Sequence, residues 1–417
     1  MDPRRQIRDD IRGWGSTVAM RLWTICIAVI VVILSWLGYS TIHQRSQKLS
    51  RISTECTSTF RAQNWIKLES LAREWLTIES VPSAHYWLGI ALKEQRHFDE
   101  AFHEFDAVSI DGPRGIDAGV EKLEIQFHVH QKPLEAVALA ERLLERDKKL
   151  ASPRRHLIFF HAMMLHRADL IKHVKLAIEY HVDVPEHYVY LLTMEDLGFG
   201  DAEEITRKWT EANPDVAEFK KVNTSIRIRT LRANRLKSSP TQEATDKLTE
   251  LLVSALPELR ELGSDPIALD TLLLLAMDDG NLEEAGRLLS LVPDSAANDP
   301  CFWRYRGWYA MSTKDLEDAD AAYRRALEIH PLGFQTRNEY SNTVRLMGRA
   351  EEAANQQSIA RVGSELFLEI RRLPHTKNIN SALMKRLATY ALDCGATDLA
   401  NGILRQQRGT SYTNANN

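Results

Sequence analysis

Histidine is the first residue type in this sequence whose number and spacing could do chemistry. Six histidines lie between positions 156 and 187, at 156, 161, 166, 173, 181 and 187. Two histidines on one helix ligate a metal together when they are four residues apart, because both imidazoles then share a face. The first spacings here are five residues, which rotate successive side chains by about 140° on a helix. The pattern favours solvated or capping histidines without a metal, and pairing across helices stays open.

The segment 220–237 is the second candidate, because it is basic. It holds seven Lys or Arg residues and no Asp or Glu, and Arg229, Arg232 and Arg235 recur every third residue. On a helix they form a stripe that could meet lipid phosphates or nucleic acid, which is the alternative function for this chain. The default interpretation is that these cations form a solvated face of the helix and bind no partner. The segment has no aromatic residue to stack on bases, so nucleic acid is an unfavoured partner.

Motifs of common catalytic sites are absent from the sequence. It contains no G-x-S-x-G, no phosphate-binding G-x4-G-K-[ST] and no H-E-x-x-H. Its four cysteines lie far apart, which argues against a zinc ribbon or a disulfide scaffold. We therefore predict no catalytic residue, no cofactor and no metal. An enzyme with an unrecognised helical active site is a remote alternative, and it would need Asp, Glu and His clustered in a groove.

Residues 22–44 have the composition of a membrane span. The run contains no Lys, Arg, Asp or Glu, and Trp23 and Trp36 lie near its two ends. About 20 apolar residues of helix cross a bilayer core, and tryptophan is enriched at its interfaces. No small-residue cleavage site of the A-x-A kind follows the run, which favours an uncleaved anchor over a secretory signal peptide. Five arginines before the span against four cations after it, with Arg21 at its edge, favour a solenoid outside the cytoplasm.

The elements that would position any site follow a 34-residue period. The similar stretches Gly280–Ala285, Lys314–Ala319 and Gly348–Ala353 begin 34 residues apart, at 280, 314 and 348. Each combines a turn residue with acids and an alanine, which is typical of the start of a helix. The spacing predicts a repeated pair of helices.

Within one such unit the residue types fall at fixed positions. When Pro300 is position 1, Trp303 is at 4, Gly307 at 8, Ala319 at 20 and Tyr323 at 24. This pattern resembles the tetratricopeptide (TPR) repeat, W-x2-L-G-x2-Y followed by A-x3-F and P. The unit starting at Pro82 matches the pattern too, and those starting at Pro266 and Phe334 match more weakly. We expect the glycine at position 8 to face the alanine at position 20 where the two helices cross.

The resemblance implies a binding groove lined by the first helix of each unit. In the family, positions 2, 5, 9 and 12 of that helix point into the concave face. Carried over to the units that start at Pro300 and Phe334, they predict a partner-binding groove formed by Arg304, Trp308, Met311, Asn338, Asn342 and Arg345. Arginine and tryptophan are common binding anchors. Packing between helices is the alternative role of these side chains.

The sequence thus predicts an all-α fold, a TPR-like α-solenoid of antiparallel helix pairs after one transmembrane helix. The predicted segments are a tail at 1–21, the span at 22–44, the solenoid at 45–407 and a disordered tail at 408–417. The clearest repeats are 82–115, 266–299, 300–333 and 334–367. The predicted function is a membrane-anchored scaffold that binds proteins or peptides, in the assembly or organisation of an envelope complex. Nearest-neighbour stacking of units would stabilise it.

Overall fold

The described part of the chain is all-helical in a computed structural model. The structure describes residues 3–195, 201–235, 242–373 and 379–413, and within these the side chains of 3–22, 24–32, 234–235, 244 and 407–413 are not described. The predicted all-α class is confirmed over those ranges, which contain helices and connecting turns. The chain forms two compact units, Met1–Lys122 and Leu123–Asn417.

The first unit is built from helices in sequential order. They are α1 Pro3–Arg61, α2 Trp65–Ile78, α3 Pro82–Glu94, α4 Phe98–Asp106 and α5 Gly115–Glu124, the last of which ends just past the unit boundary. Helix α3 begins with proline at its first position, where the missing N–H costs no hydrogen bond. Helices α3 and α4 form the pair that begins at Pro82.

The predicted membrane span lies within α1. Among the residues that the structure describes, no helix combines the length and the apolar character that a bilayer crossing needs. The side chains of Leu22 and residues 24–32, which supply much of the predicted run, lie outside the described residues. The anchor stays a prediction.

The second unit contains the remaining helices of the described chain. They are α6 Pro133–Arg146, α7 Ala151–Met163, α8 Arg167–Glu179, α9 Pro185–Thr193, α10 Ala202–Ala212, α11 Ala217–Arg235, α12 Gln242–Glu261, α13 Pro266–Asp278, α14 Leu282–Leu289, α15 Pro300–Ser312, α16 Leu316–Ile329, α17 Phe334–Leu346, α18 Ala350–Ile370, α19 Ser381–Asp393 and α20 Thr397–Thr413. A π-helical turn at Ile125–Val129 precedes α6. Helix α20 overlaps the predicted disordered tail, whose residues 414–417 lie outside the description.

The turn between the two helices of each TPR-like pair explains the repeated six-residue stretch. Its first residue has a positive φ, 64° at Gly280, 68° at Lys314 and 78° at Gly348. This left-handed conformation ends the first helix and suits glycine best. In the first two turns the next residue, Asn281 or Asp315, then caps the second helix through its side-chain oxygen.

Two of the pairs, those starting at Pro82 and Pro300, have glycine at position 8 where their helices cross closely. A Cβ added to Gly307 would lie 2.8 Å from a ring carbon of Tyr323, and one added to Gly89 would lie 2.6 Å from the ring of Phe105. The glycine at position 8 therefore faces the aromatic ring at position 24, and its expected approach to the alanine at position 20 stays a prediction. Only a residue without a side chain leaves room for the flat face of the ring.

The second unit also contains a contact that nearest-neighbour stacking does not provide. Arg405 on α20 donates to Asp183 Oδ1 at 2.6 Å and to the carbonyl oxygen of Ile178 at 3.1 Å. Gln406 donates to the carbonyl oxygen of Asp183 at 2.7 Å. The last described helix thus packs against α8 and the start of α9, more than 200 residues earlier in the chain.

Candidate functional site

The six residues of the predicted groove divide into a buried set and an exposed set. On α15, Arg304 is 7% exposed, and Trp308 is half-buried against the apolar core around α13 and α14. Met311 is half-buried as well and packs against the apolar core that its own pair shares with the next pair. The exposed set lies on α17 and consists of Asn338, Asn342 and Arg345.

Arg304 is a clamp between the first helices of two consecutive pairs. Its Nε donates to both carboxylate oxygens of Glu339 on α17, at 2.9 and 3.0 Å. Its Nη1 donates to Gln335 Oε1 at 2.8 Å and lies 3.8 Å from Glu195 Oε2. An arginine held by a bidentate carboxylate and buried to this extent contributes to packing between helices. That was the alternative role considered for this position.

Glu195 is the least compensated member of this cluster. It is 7% exposed, its Oε1 accepts from the hydroxyl of Thr336 at 3.2 Å, and its Oε2 has no hydrogen-bond partner. Burial raises the pKa of Glu195, and the attraction of Arg304 offsets this only in part. The carboxyl holds its proton more readily than an exposed glutamate.

One member of the exposed set, Asn338, lines an open cleft of about 470 Å³ between α17 and α18. Arg304 and Glu339 line the cleft together with Asn338, which is exposed at its edge. The other lining residues are Phe334, Gln335, Gln357, Ala360, Arg361, Ser364 and Glu365. Eight of the ten lining residues are polar or charged, and they carry both signs of charge, which suits a polar extended segment better than an apolar small molecule.

A second buried polar group connects α8, α11, α13 and α15. The carboxylate of Asp270 accepts from Arg167 Nη2 at 2.8 Å, from Arg229 and from the hydroxyl of Tyr305 at 2.8 Å. All four residues are at most 2% exposed. Burial alone would raise the pKa of Asp270, but Arg167 and Arg229 outweigh it and hold that pKa below its usual value. Both arginines are paired with the carboxylate, although Arg229 Nε has no hydrogen-bond partner, and the group acts in packing.

The basic segment 220–237 does not form a free basic stripe where its side chains are described. Arg229 is buried against Asp270, and Arg232 is paired with Asp278. Three more cations have a carboxylate partner, namely Lys220 with Glu258 at 3.0 Å, Lys221 with Asp265 at 2.5 Å and Arg227 with Glu203 at 3.5 Å. The side chain of Arg235 and the whole of Lys237 lie outside the described residues.

The histidines between 156 and 187 are mostly buried, which corrects the interpretation that they are solvated. His156, His161, His173 and His187 are at most 8% exposed. Burial lowers the pKa of His161 to about 3 and of His173 and His187 to about 4. His187 does cap a helix, because its Nδ1 accepts the N–H of Val184 at the start of α9, at 3.3 Å.

Two groups of side chains bring possible metal ligands together in the described part of the chain. One consists of Glu124, His128 and His156, and the other of His161, His166 and Asp169. In the first group, burial raises the pKa of Glu124, but hydrogen bonding and attraction from His156 outweigh it and lower that pKa to about 2. The sequence signal for this group was the four-residue step from Glu124 to His128, which lies outside the histidine run considered above.

Comparison with known proteins gives no family. No family model and no curated protein matches the sequence. Among solved structures, the C-terminal part of a TPR repeat-containing protein from Cytophaga hutchinsonii is 13% identical, covering 69% of this chain and 98% of that one, with a TM-score of 0.29. Yeast Tom70 is 13% identical, covering 87% and 97%, with a TM-score of 0.28. The Cut9–Hcn1 hetero-tetramer is 12% identical, covering 85% and 71%, with a TM-score of 0.30.

These TM-scores are too low to carry an argument about fold or partners. The TPR-like description of this chain therefore rests on its own helix pairs, with their left-handed turns and, in two pairs, a glycine–aromatic crossing.

Proposed function

We propose that this chain is a TPR-like scaffold that binds an extended segment of a partner protein along α17. One observation carries the proposal. Asn338, Asn342 and Arg345 are all exposed, and their spacings of four and three residues place them on one face of the helix. The cleft of about 470 Å³ adjoins this face at Asn338.

The chemistry of this face suits a peptide. An asparagine amide both donates and accepts hydrogen bonds, so Asn338 and Asn342 can pair with the N–H and C=O groups of an extended backbone. Arg345 donates to two neutral amides, Asn342 Oδ1 at 3.2 Å and Gln357 Oε1 at 2.9 Å. Its guanidinium keeps its charge for an acidic side chain of the partner. Trp308 on α15 packs against the core around α13 and α14 and is half-buried, so part of its ring remains as exposed apolar surface.

The test uses peptides that carry an acidic residue, selected by display against the full-length protein in detergent micelles. The double substitution Asn338→Ala/Asn342→Ala should weaken binding of the selected peptides at least tenfold, because two paired backbone contacts at about 1 kcal/mol each are lost. Asn355→Ala is the matched control, since Asn355 is exposed on α18 and does not line the cleft. Equal affinity for the double variant and the control would contradict the proposal.

We further propose that residues 22–44 anchor the scaffold in a membrane, with the helical repeats outside the cytoplasm, where it would organise an envelope complex. The uncharged run and its flanking arginines support this. The full-length chain should stay with membranes through an alkaline carbonate wash, whereas a chain starting at Arg45 should not. Release of the full-length chain by the wash would contradict the anchor. Protease added to spheroplasts should digest the repeats, and repeats that survive this treatment would contradict the orientation.

A further inference from the structure

The group of Glu124, His128 and His156 has the geometry of a metal site. The Nε2 atoms of the two histidines lie 3.1 Å apart. Glu124 Oε2 lies 3.5 Å from His156 Nε2 and 3.6 Å from His128 Nε2. Three ligand atoms thus form a nearly equilateral triangle.

The size of this triangle fits zinc. Nitrogen and carboxylate oxygen ligands lie about 2.0–2.1 Å from zinc in a tetrahedral arrangement, so neighbouring ligand atoms are roughly 3.3–3.4 Å apart. The three observed separations bracket this value. An ion placed about 2 Å from all three atoms needs no rearrangement of the side chains.

Neighbouring groups fix the ligand atoms in the orientation that a metal requires. The Nδ1 of His156 lies 2.8 Å from the carbonyl oxygen of Ser152, to which it donates, so the lone pair is on Nε2. The hydroxyl of Ser152 donates to Glu124 Oε1 at 2.8 Å, which leaves Oε2 directed at the histidines. Outer hydrogen bonds of this kind are typical of metal-ligating histidine and carboxylate.

The backbone contributes a further feature. Glu124 ends α5 and His128 lies in the π-helical turn Ile125–Val129, while His156 lies on α7. Single π-turns are rare and occur frequently at functional sites. Phe127 in the same turn packs edge-on against the ring of His156, with centroids 5.0 Å apart, and so forms an apolar wall beside the triangle.

We propose that Glu124, His128 and His156 bind one divalent transition-metal ion of the zinc class. Two imidazoles and one carboxylate suit zinc, and they leave the fourth tetrahedral position open. His128 is exposed, so that position faces solvent and takes a water molecule. The ion would join the π-turn to α7.

The test is titration of the full-length, untagged protein in detergent with Zn²⁺, in competition with a chromophoric chelator. The wild-type chain should bind zinc at this site, and His128→Ala should lose that binding or weaken it at least tenfold. His128 is exposed, so its replacement leaves the packing intact, and unchanged far-ultraviolet circular dichroism checks this. Glu124→Gln keeps the size of the side chain and should weaken binding as well.

Two matched variants distinguish this site from other histidines. His166→Ala removes a member of the second group, and His103→Ala removes an exposed histidine on α4, so both should retain the site. Co²⁺ gives a second readout, because its visible absorption is intense only in a tetrahedral site, and the His128→Ala protein should lack that absorption. Wild-type affinity in both the His128→Ala and Glu124→Gln proteins, or no saturable binding by the wild type, would overturn the proposal.

Discussion

Gly307→Ala tests the helix crossing in the best-defined repeat. The new methyl group would lie 2.8–2.9 Å from three ring carbons of Tyr323, closer than Cβ atoms approach other heavy atoms in real proteins. The ring has little room to move. Tyr323 is fully buried, its ring centroid lies 6.0 Å from that of Tyr340, and its hydroxyl lies 3.5 Å from Glu339 Oε2.

Two opposing effects set the magnitude. Overpacking of a core by one methyl group costs about 1–3 kcal/mol. Replacing glycine by alanine inside a helix stabilises by about 1 kcal/mol. We expect a net decrease of up to about 2 kcal/mol in the free energy of unfolding. The effect should depend on the ring of Tyr323. Tyr323→Leu should therefore lower the free energy of unfolding by at least about 1 kcal/mol less in the Gly307→Ala protein than in the wild type.

Urea unfolding followed by circular dichroism measures both quantities, and hydrogen exchange locates the loss of protection at α15 and α16. Gly286→Ala is the matched control. Its Cβ would meet the terminal hydroxyl of the half-buried Tyr309, which can move aside, so the helix-propensity gain should dominate. If Gly307→Ala stabilises the protein as much as the control does, the ring contact is not the constraint that requires glycine.

Two further predictions concern buried charge and acid stability. Arg304→Met should lower the free energy of unfolding, measured in urea, by about 3–5 kcal/mol, because Glu339 and Glu195 lose their buried cation. The control Arg345→Met should change it by no more than about 0.5 kcal/mol. Equal effects of the two substitutions would contradict a buried role for Arg304. The pKa of buried His187 is lowered from 6.5 to about 4 in the folded chain. As the pH falls from about 6.5 towards 4, the histidine is protonated in the unfolded chain but not in the folded chain, so the free energy of unfolding decreases. His187→Asn, which keeps an acceptor for the N–H of Val184, should remove about 2 kcal/mol of the stability difference between pH 7 and pH 5, and an unchanged urea midpoint profile would contradict this.

The parts of the fold that could be predicted from the sequence are those that a local rule fixes. Gly280, Lys314 and Gly348 each take the same left-handed turn conformation, so the 34-residue period marks the helix pairs directly. The packing of α20 on α8 could not be predicted in this way. The pairing of Arg405 with Asp183 joins residues 222 positions apart, and no periodic pattern encodes such a contact.

The site shows the same limit. Periodicity assigns Arg304 to one face of a helix, but it does not say whether another helix covers that face. In the structure Glu339 and Glu195 cover it, and Arg229 is covered by Asp270 in the same way. For Asn338 and Asn342 no other helix of the described chain covers the predicted face, and both side chains are exposed in the structure. Which carboxylate meets which arginine depends on tertiary packing, and only the structure gives it.

The packing of α20 against α8 has a consequence for how this architecture can change. An open solenoid tolerates the gain or loss of a repeat, because each unit contacts only its neighbours. Here an added 34-residue unit between α13 and α18 would carry Arg405 away from Asp183 and would expose the surfaces that now meet. We therefore expect the number of repeats in the second unit to be constrained, and variation to fall mainly on substitutions and loop lengths.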